Sequence, residues 1–178
     1  YEGSQLWLWI ALASAVVGLG AAFVIANGIT KKEVADEKLK EISGYIKEGA
    51  MAFLNAEYKV IAIYIVSVLV LLLVLFAVLD MSWLLIPAFI VGAFFSAMAG
   101  NIGMRIATMA NAKTAWECKK SMNAGLRVAF SSGAVMGLCV VGLGLLGVTL
   151  LYSIWGNVDM LFGFGFGASS IALFARVG

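Results

Sequence analysis

Few side chains in this sequence are suited to chemistry, and Arg176 is the most informative of them. It follows an uncharged stretch that begins at Met160. A helix over this stretch rises by about 24 Å, which is less than the roughly 30 Å hydrocarbon thickness of a bilayer. Arg176 would then lie at or inside the inner edge of a membrane, where ionisable groups usually pair within a transport pathway. The alternative is an arginine that snorkels to the surface at the end of a span.

Two hydroxyl side chains precede this arginine by about two helical turns. Helical spacing places Ser169 on the same face as Arg176, with Ser170 beside it. The two serines would line a polar pathway that leads to the arginine, or they would bond back to carbonyl oxygens one turn earlier in their own helix. The spans contain no acidic partner for Arg176, so we expect that partner to come from sequence outside this chain.

Other common chemistries are excluded by residue type and spacing. The sequence has no histidine, and Cys118 and Cys139 are too far apart for a CxxC motif, so we predict two free thiols. The acidic residues alternate with lysines and form no cluster of carboxylates suited to Mg²⁺. The run Gly163–Ala168 fits G-x-G-x-x-G/A, but it lies in an apolar span and not between a strand and a helix. We therefore predict no catalytic residue, no metal ligand and no dinucleotide site in this stretch.

The elements that must position these residues are apolar helices. The 178 residues include 12 Lys and Arg, 10 Asp and Glu, and 63% hydrophobic types, with a mean hydropathy of +1.03. These values exclude a soluble globular domain and a disordered chain, and a net charge of +2 does not fit nucleic-acid binding. We predict an all-α, polytopic membrane protein with one domain and five transmembrane helices, at about 5–28, 60–79, 82–104, 128–155 and 160–176.

Charge placement predicts the orientation of these spans. All twelve basic residues lie in the connections 31–59 and 105–127 or at Arg176. The opposite side carries only acidic residues, namely Glu2, Asp80 and Asp159. Because basic loops remain in the cytoplasm, we expect the N-terminus outside and the end of the fifth span at the cytoplasm. The first span lacks a basic n-region, so we interpret it as a retained helix and not a signal peptide.

The connections between the spans and the small residues within them lead to further predictions. Apolar residues at helical spacing between Ile42 and Leu54 predict that span two continues as an amphipathic cytoplasmic helix. Its charged residues, Lys47, Glu48, Glu57 and Lys59, suggest a solvated face with ion pairs one turn apart. Asn101 is expected to form a hydrogen bond between helices. The short connection at Asp80 makes spans two and three antiparallel neighbours, and glycines repeated at four-residue spacing predict close helix packing.

Three stretches together resemble the N-terminal part of the membrane-bound, ion-pumping inorganic pyrophosphatases. The first is EISGYIKEGAMAFL (41–54). The second is GMRIATMANAKTA (103–115), followed by AFSSGAVMGL (129–138), and the third is GASSIALFARVG (167–178). Their order and spacing, and the external N-terminus, carry the resemblance. It covers nearly all of this chain but only about a quarter of a family member, which has about sixteen helices in one bundle.

The resemblance implies a function for the whole protein. Family members are homodimers in the membrane lipid that hydrolyse pyrophosphate as a magnesium complex at the cytoplasmic side and move H⁺ or Na⁺ outward, with K⁺ as a further cofactor in some. Arg176 matches the family's arginine at the end of helix five, which belongs to the charged cluster that couples hydrolysis to transport. Ser169 and Ser170 match a small-polar stretch that lines the pathway.

The resemblance also implies that this stretch is one part of a larger protein. The lysine and aspartates that bind substrate and metal would follow Gly178, so we expect the chain to be truncated at its C-terminal end and inactive alone. We expect a multi-pass protein of a prokaryotic cell membrane that binds no nucleic acid. The chief alternative is a non-enzymatic secondary carrier or channel, which would share the composition and orientation, and a structural subunit is a second.

Overall fold

The computed structural model describes the backbone of residues 2–79 and 82–177, and the side chains of residues 5–78 and 82–175. The described residues form five α-helices: α1 (Glu2–Thr30), α2 (Glu37–Leu79), α3 (Leu85–Cys118), α4 (Met122–Trp155) and α5 (Asp159–Val177). This confirms the predicted all-α fold. The predicted tight connection at Asp80 and Met81 lies outside the described residues.

Four of the helices are long and apolar enough to cross a membrane. The qualifying stretches lie in α1, α2, α3 and α4, whereas α5 is a shorter apolar helix. Many large apolar side chains on their outer faces are exposed, among them Trp7, Phe23 and Ile63. In water such a surface would be costly, but in lipid it is the ordinary surface of a helix bundle.

The second helix continues well beyond the length of one span, as the amphipathic pattern predicts. Its 43 residues rise by about 64 Å, roughly twice the hydrocarbon thickness of a bilayer. It begins after Asp36, whose Oδ1 atom accepts hydrogen bonds from the backbone N–H groups of Lys38 at 3.0 Å and Leu39 at 3.2 Å. An aspartate at this position satisfies amides that have no partner inside the helix.

The third helix lies at the centre of the bundle and organises three buried clusters. Near its start it packs with α4 and α5 around Ala88, Leu151, Met160 and Phe164. In its middle it packs with α2 and α5 around Ile61, Ala93 and Ile171. Towards its end it packs with α1 and α4 around Ala22, Ile29, Ala110, Val128, Val135 and Cys139. The fifth helix is thus packed against α3 and its neighbours from Met160 to Phe174.

Glycines bring α5 and α3 into backbone contact. A Cβ atom at Gly167 would meet the carbonyl oxygen of Phe89, and one at Gly163 would come within 2.8 Å of the carbonyl oxygen of Leu85. From the other side, a Cβ atom at Gly92 would meet the carbonyl oxygen of Phe164. The predicted close packing is therefore confirmed at this interface. It is not found at Gly133, Gly137, Gly144 and Gly165, where a Cβ atom would have no neighbour within 4 Å.

Charged groups tie the connections together at one end of the bundle. We call this the basic end; it comprises the connection 31–36 and the turn 119–121. Lys119 forms an ion pair with Asp36, and Lys32 forms another with Glu117 at 3.8 Å. The Nζ atom of Lys113 donates to the carbonyl oxygens of Ile29 and Thr30, each at 2.7 Å, and so satisfies acceptors at the end of α1.

Candidate functional site

The candidate residues of α5 occupy the two sides of that helix. Ser170 is buried, whereas Ser169, one residue earlier, is exposed. Successive residues of a helix point about 100° apart, so the two hydroxyls cannot serve the same face. The close contact of Gly167 with α3 fixes this rotation of α5, because a different rotation would put side chains where the helix backbones touch.

Ser170 joins α2 to α5. The Tyr64 hydroxyl donates to Ser170 Oγ at 2.9 Å, and Ser170 Oγ donates to the carbonyl oxygen of Phe166 at 2.7 Å. The Tyr64 ring also contacts Phe174 edge-on, with 5.1 Å between the ring centroids. In the described part of the chain, the bond back to Phe166 that the sequence left as one alternative is therefore present, together with a bond between helices.

Ser169 faces a cavity of about 550 Å³ between α3, α4 and α5, which we call the α4 cavity. Its wall is mostly apolar and includes Phe95, Met136 and Leu143. Ser96 also borders it and donates from Oγ to the carbonyl oxygen of Ala168 at 2.9 Å. The cavity is large enough for side chains of another helix or for several waters.

The position of Arg176 is described only at the level of the backbone. The residue belongs to the last turn of α5, and its side chain lies outside the described residues. The preceding residue, Ala175, borders the α4 cavity and also a second cavity between α2, α3 and α5. The end of α5 therefore lies where the two cavities approach each other.

The second cavity, which we call the α2 cavity, has a volume of about 160 Å³ and, like the α4 cavity, a mostly apolar wall. Glu57, Tyr58, Ser96 and Asn101 all border it. The amide Nδ2 of Asn101 donates to the Tyr58 hydroxyl at 2.7 Å, and Asn101 Oδ1 accepts from Arg105 Nε at 2.7 Å. This confirms the predicted interhelical hydrogen bond of Asn101 and extends it into a chain of three polar groups.

Glu57 borders the α2 cavity and does not lie on a fully solvated face, which corrects the prediction made from its charge pattern. Its side chain is partly buried against the α2 cavity, and its Oε1 atom is buried with no hydrogen-bond partner among the described residues. The predicted ion pairs of Glu57 and Glu48 with Lys47 and Lys59 are also absent from these described side chains.

A signal for the burial of Glu57 was present in the sequence. Leu54 lies three residues before it and Ile61 four residues after it, and both are buried. That spacing places all three on one face of α2. The stripe continues through Val68, which is also buried. Because Glu57 is charged, the sequence pattern did not reveal that it belongs to the stripe of α2 residues that faces α3.

The described part of the chain contains no cluster of side chains suited to a metal ion and no disulfide. Among the described side chains, those of residues 5–78 and 82–175, no three of Asp, Glu, His or Cys are grouped so that they could hold a metal ion. Cys118 and Cys139 are both free thiols, the first exposed and the second buried, as predicted.

Comparison with known proteins places the chain in a family. A family model described as inorganic H⁺ pyrophosphatase matches residues 16–178. The chain belongs to this family. It is 42% identical over 171 residues to the K⁺-insensitive pyrophosphate-energized proton pump of Methanosarcina mazei, covering 96% of this chain and 25% of that protein.

Other members of the inorganic H⁺ pyrophosphatase family are named as sodium pumps. The chain is 46% identical over 164 residues to the putative K⁺-stimulated pyrophosphate-energized sodium pump of Clostridium tetani, covering 92% of this chain and 24% of that protein. The chain thus spans about a quarter of the length of these relatives. The family and the apolar helices together establish a polytopic, integral membrane protein.

Proposed function

We propose that this chain is part of a primary ion pump that couples the hydrolysis of pyrophosphate to phosphate with transport of H⁺ or Na⁺. The observation that carries the proposal is the family match over residues 16–178, together with the similarity of almost the whole chain to proteins named as pyrophosphate-energized pumps. In this proposal the 178 residues form one transmembrane domain, inactive by itself, that belongs to a homodimer of the complete protein.

Orientation follows from the charge pattern. The N-terminus lies outside, and the basic end faces the cytoplasm, where the pyrophosphate is hydrolysed. The ion pairs and lysine contacts at that end support this assignment, since they would be placed in water and not in lipid.

Arg176 has an electrostatic role in the proposed coupling. A guanidinium stays protonated at any physiological pH, and it can hold a nearby carboxylate in its ionised form. Such a group changes its interactions when the substrate state changes, without itself carrying the transported proton. Its position in the last turn of α5, directly after a residue that borders both cavities, supports this role.

The two serines are assigned different tasks within the pathway. Ser169 faces the α4 cavity and lines the ion pathway from there. Ser170 contributes indirectly, because its hydroxyl is engaged with Tyr64 and Phe166 and holds α2 against α5. The pathway would thus use one hydroxyl as its lining and the other as a support.

Magnesium would bind elsewhere in the complete protein. The described residues contain no group of carboxylates that fits a magnesium–pyrophosphate complex. Potassium dependence is likewise assigned to residues outside this chain, and the relatives' names include both K⁺-insensitive and K⁺-stimulated pumps.

The decisive experiment measures hydrolysis and transport in vesicles that contain the full-length protein. We expect pyrophosphatase activity that requires Mg²⁺, and ion uptake that requires pyrophosphate. Arg176→Ala should abolish transport or uncouple it from hydrolysis, while the protein is still found in the membrane. Transport at the wild-type rate in that variant would refute the role of Arg176, and a full-length protein without any hydrolysis would refute the proposed function.

A further inference from the structure

The α2 cavity contains a carboxylate oxygen that nothing in the described structure satisfies. Glu57 Oε1 is buried and has no hydrogen-bond donor among the described residues. The ion pairs of the described side chains use Glu37, Asp36 and Glu117, and none involves Glu57. Burying a carboxylate oxygen without a partner is costly, and a proton or a cation bound at Glu57 would offset that cost.

The space beside Glu57 is sufficient for a small ligand. The cavity volume of about 160 Å³ is well above the ~15 Å³ that a single water needs. Tyr58 and Ser96, which both carry hydroxyl groups, border the same space, and the Ser96 hydroxyl donates to the carbonyl oxygen of Ala168. Carboxylate, hydroxyl and water oxygens are the ligands that hard cations prefer.

The charged and titratable groups around the cavity favour a single positive charge. From α2, Glu57 and Tyr58 border the cavity, and from α3, Asn101 does so while its Oδ1 atom binds Arg105. The described α5 residues on the wall, Ile171 and Ala175, do not titrate, and neither does Met136, which α4 contributes. One carboxylate with an arginine close by does not supply the several carboxylates that divalent cations usually recruit.

Tyr58 and Asn101 are held in fixed positions by this network. The Asn101 amide donates to the Tyr58 hydroxyl, and Arg105 holds the other end of that amide. The Tyr58 hydroxyl oxygen accepts one hydrogen bond from this amide and keeps a second lone pair that a cation in the cavity can use. Preorganised polar groups of this kind lower the cost of binding an ion.

We propose that the α2 cavity is a binding site for a small monovalent cation, H⁺ or Na⁺, with Glu57 as its charged ligand. The inference rests on the proposed function, because it makes this cavity a station for the transported ion beside the coupling arginine. Ala175 borders the cavity, and Arg176 follows it directly. A positive charge at Glu57 would therefore change the electrostatic environment of the residue proposed to couple hydrolysis to transport.

The test compares Glu57→Gln with Glu48→Gln in the full-length protein. Glu48 lies on the same helix and is exposed, so its variant controls for the loss of one negative charge. Pyrophosphate hydrolysis and transport are measured in vesicles over a NaCl titration at constant pH and over a pH titration at constant NaCl. We expect Glu57→Gln to shift the midpoint of one titration at least tenfold, and Glu48→Gln to leave both midpoints unchanged. A shift in the NaCl arm identifies Na⁺, and a shift in the pH arm identifies H⁺.

A second readout does not depend on activity. The unfolding midpoint of the purified full-length protein should rise with NaCl, or change with pH, by an amount that Glu57→Gln removes and Glu48→Gln retains. If Glu57→Gln does not reach the membrane, Glu57→Asp keeps the charge on a shorter side chain and should still shift one midpoint.

The outcomes separate this inference from the proposed function. A wild-type protein that neither hydrolyses nor transports would refute the pump, and the unfolding midpoints alone would then decide the cation site. A working pump in which the Glu57 variants keep both midpoints would overturn the cation site and leave the pump intact.

Discussion

The contact between α3 and α5 depends on a hydrogen atom in place of a side chain at Gly167, and replacing this residue tests how the end of α5 is positioned. In Gly167→Ala, the new Cβ atom would meet the backbone carbonyl of Phe89 and lie 3.0 Å from the amide nitrogen of Ala93. Neither group can turn aside as a side chain does, so α5 must move away from α3. The serines and Arg176 would move with it.

The expected change in the stability of Gly167→Ala follows from two opposing effects. Overpacking of a close-fitting interface costs about 1–3 kcal/mol, and replacing a glycine in a helix by alanine recovers about 0.5–1 kcal/mol. The difference between these two ranges is about 0–2.5 kcal/mol, and its middle value of about 1.3 kcal/mol corresponds to a factor of roughly ten in the ratio of folded to unfolded protein. Gly165→Ala is the matched control, because its Cβ atom would meet nothing within 4 Å. That variant should be as stable as the wild type or slightly more stable.

The assay is the fraction of full-length protein that stays monodisperse in detergent after heating, measured by fluorescence-detected size-exclusion chromatography. We expect the midpoint temperature of Gly167→Ala to fall below that of Gly165→Ala. Equal midpoints for the two variants would refute the reasoning, since helix propensity alone treats the two glycines alike. The same outcome would remove the argument that backbone contact sets the rotation of α5.

Two further predictions concern polar contacts. Tyr64→Phe removes the hydroxyl that donates to Ser170 but leaves Ser170 bonded to Phe166. We therefore expect a coupling energy of about 0.6 kcal/mol between Tyr64→Phe and Ser170→Ala in a double-mutant cycle. A coupling energy of zero would contradict the hydrogen bond between the two side chains. At the basic end, hydrogen bonds from Lys119 and from the amides of α2 hold the pKa of Asp36 below its ordinary value of 3.8. The ionised Asp36 carboxylate therefore contributes its full stabilisation of the folded protein above pH 3.8, and this contribution is lost as the pH falls through the lowered pKa. Asp36→Asn should thus be less stable than the wild type by a constant amount from about pH 5 to 8, and the difference in unfolding midpoint should shrink in stronger acid; a difference that grows on acidification would contradict the assignment.

The apolar runs by themselves determined the helical character of this protein. Uninterrupted stretches such as Leu69–Leu75 cannot form the alternating strands of a barrel, and in lipid a helix satisfies its own backbone. The amphipathic continuation of α2 and the interhelical role of Asn101 could also be predicted, because periodicity and isolated polarity are local properties.

The tertiary structure decided which local features meet. Gly163 and Gly165 look equivalent in sequence, yet only Gly163 contacts the α3 backbone, since the rotation of α5 is set by its neighbours. Glu57 looked like one more charge on a solvated face, but its side chain is partly buried at the α2 cavity and its Oε1 atom is fully buried. Burial and hydrogen-bond partners depend on residues that are distant in the chain. The sequence around Glu57 therefore shows which face of α2 it lies on, but not which residues cover that face.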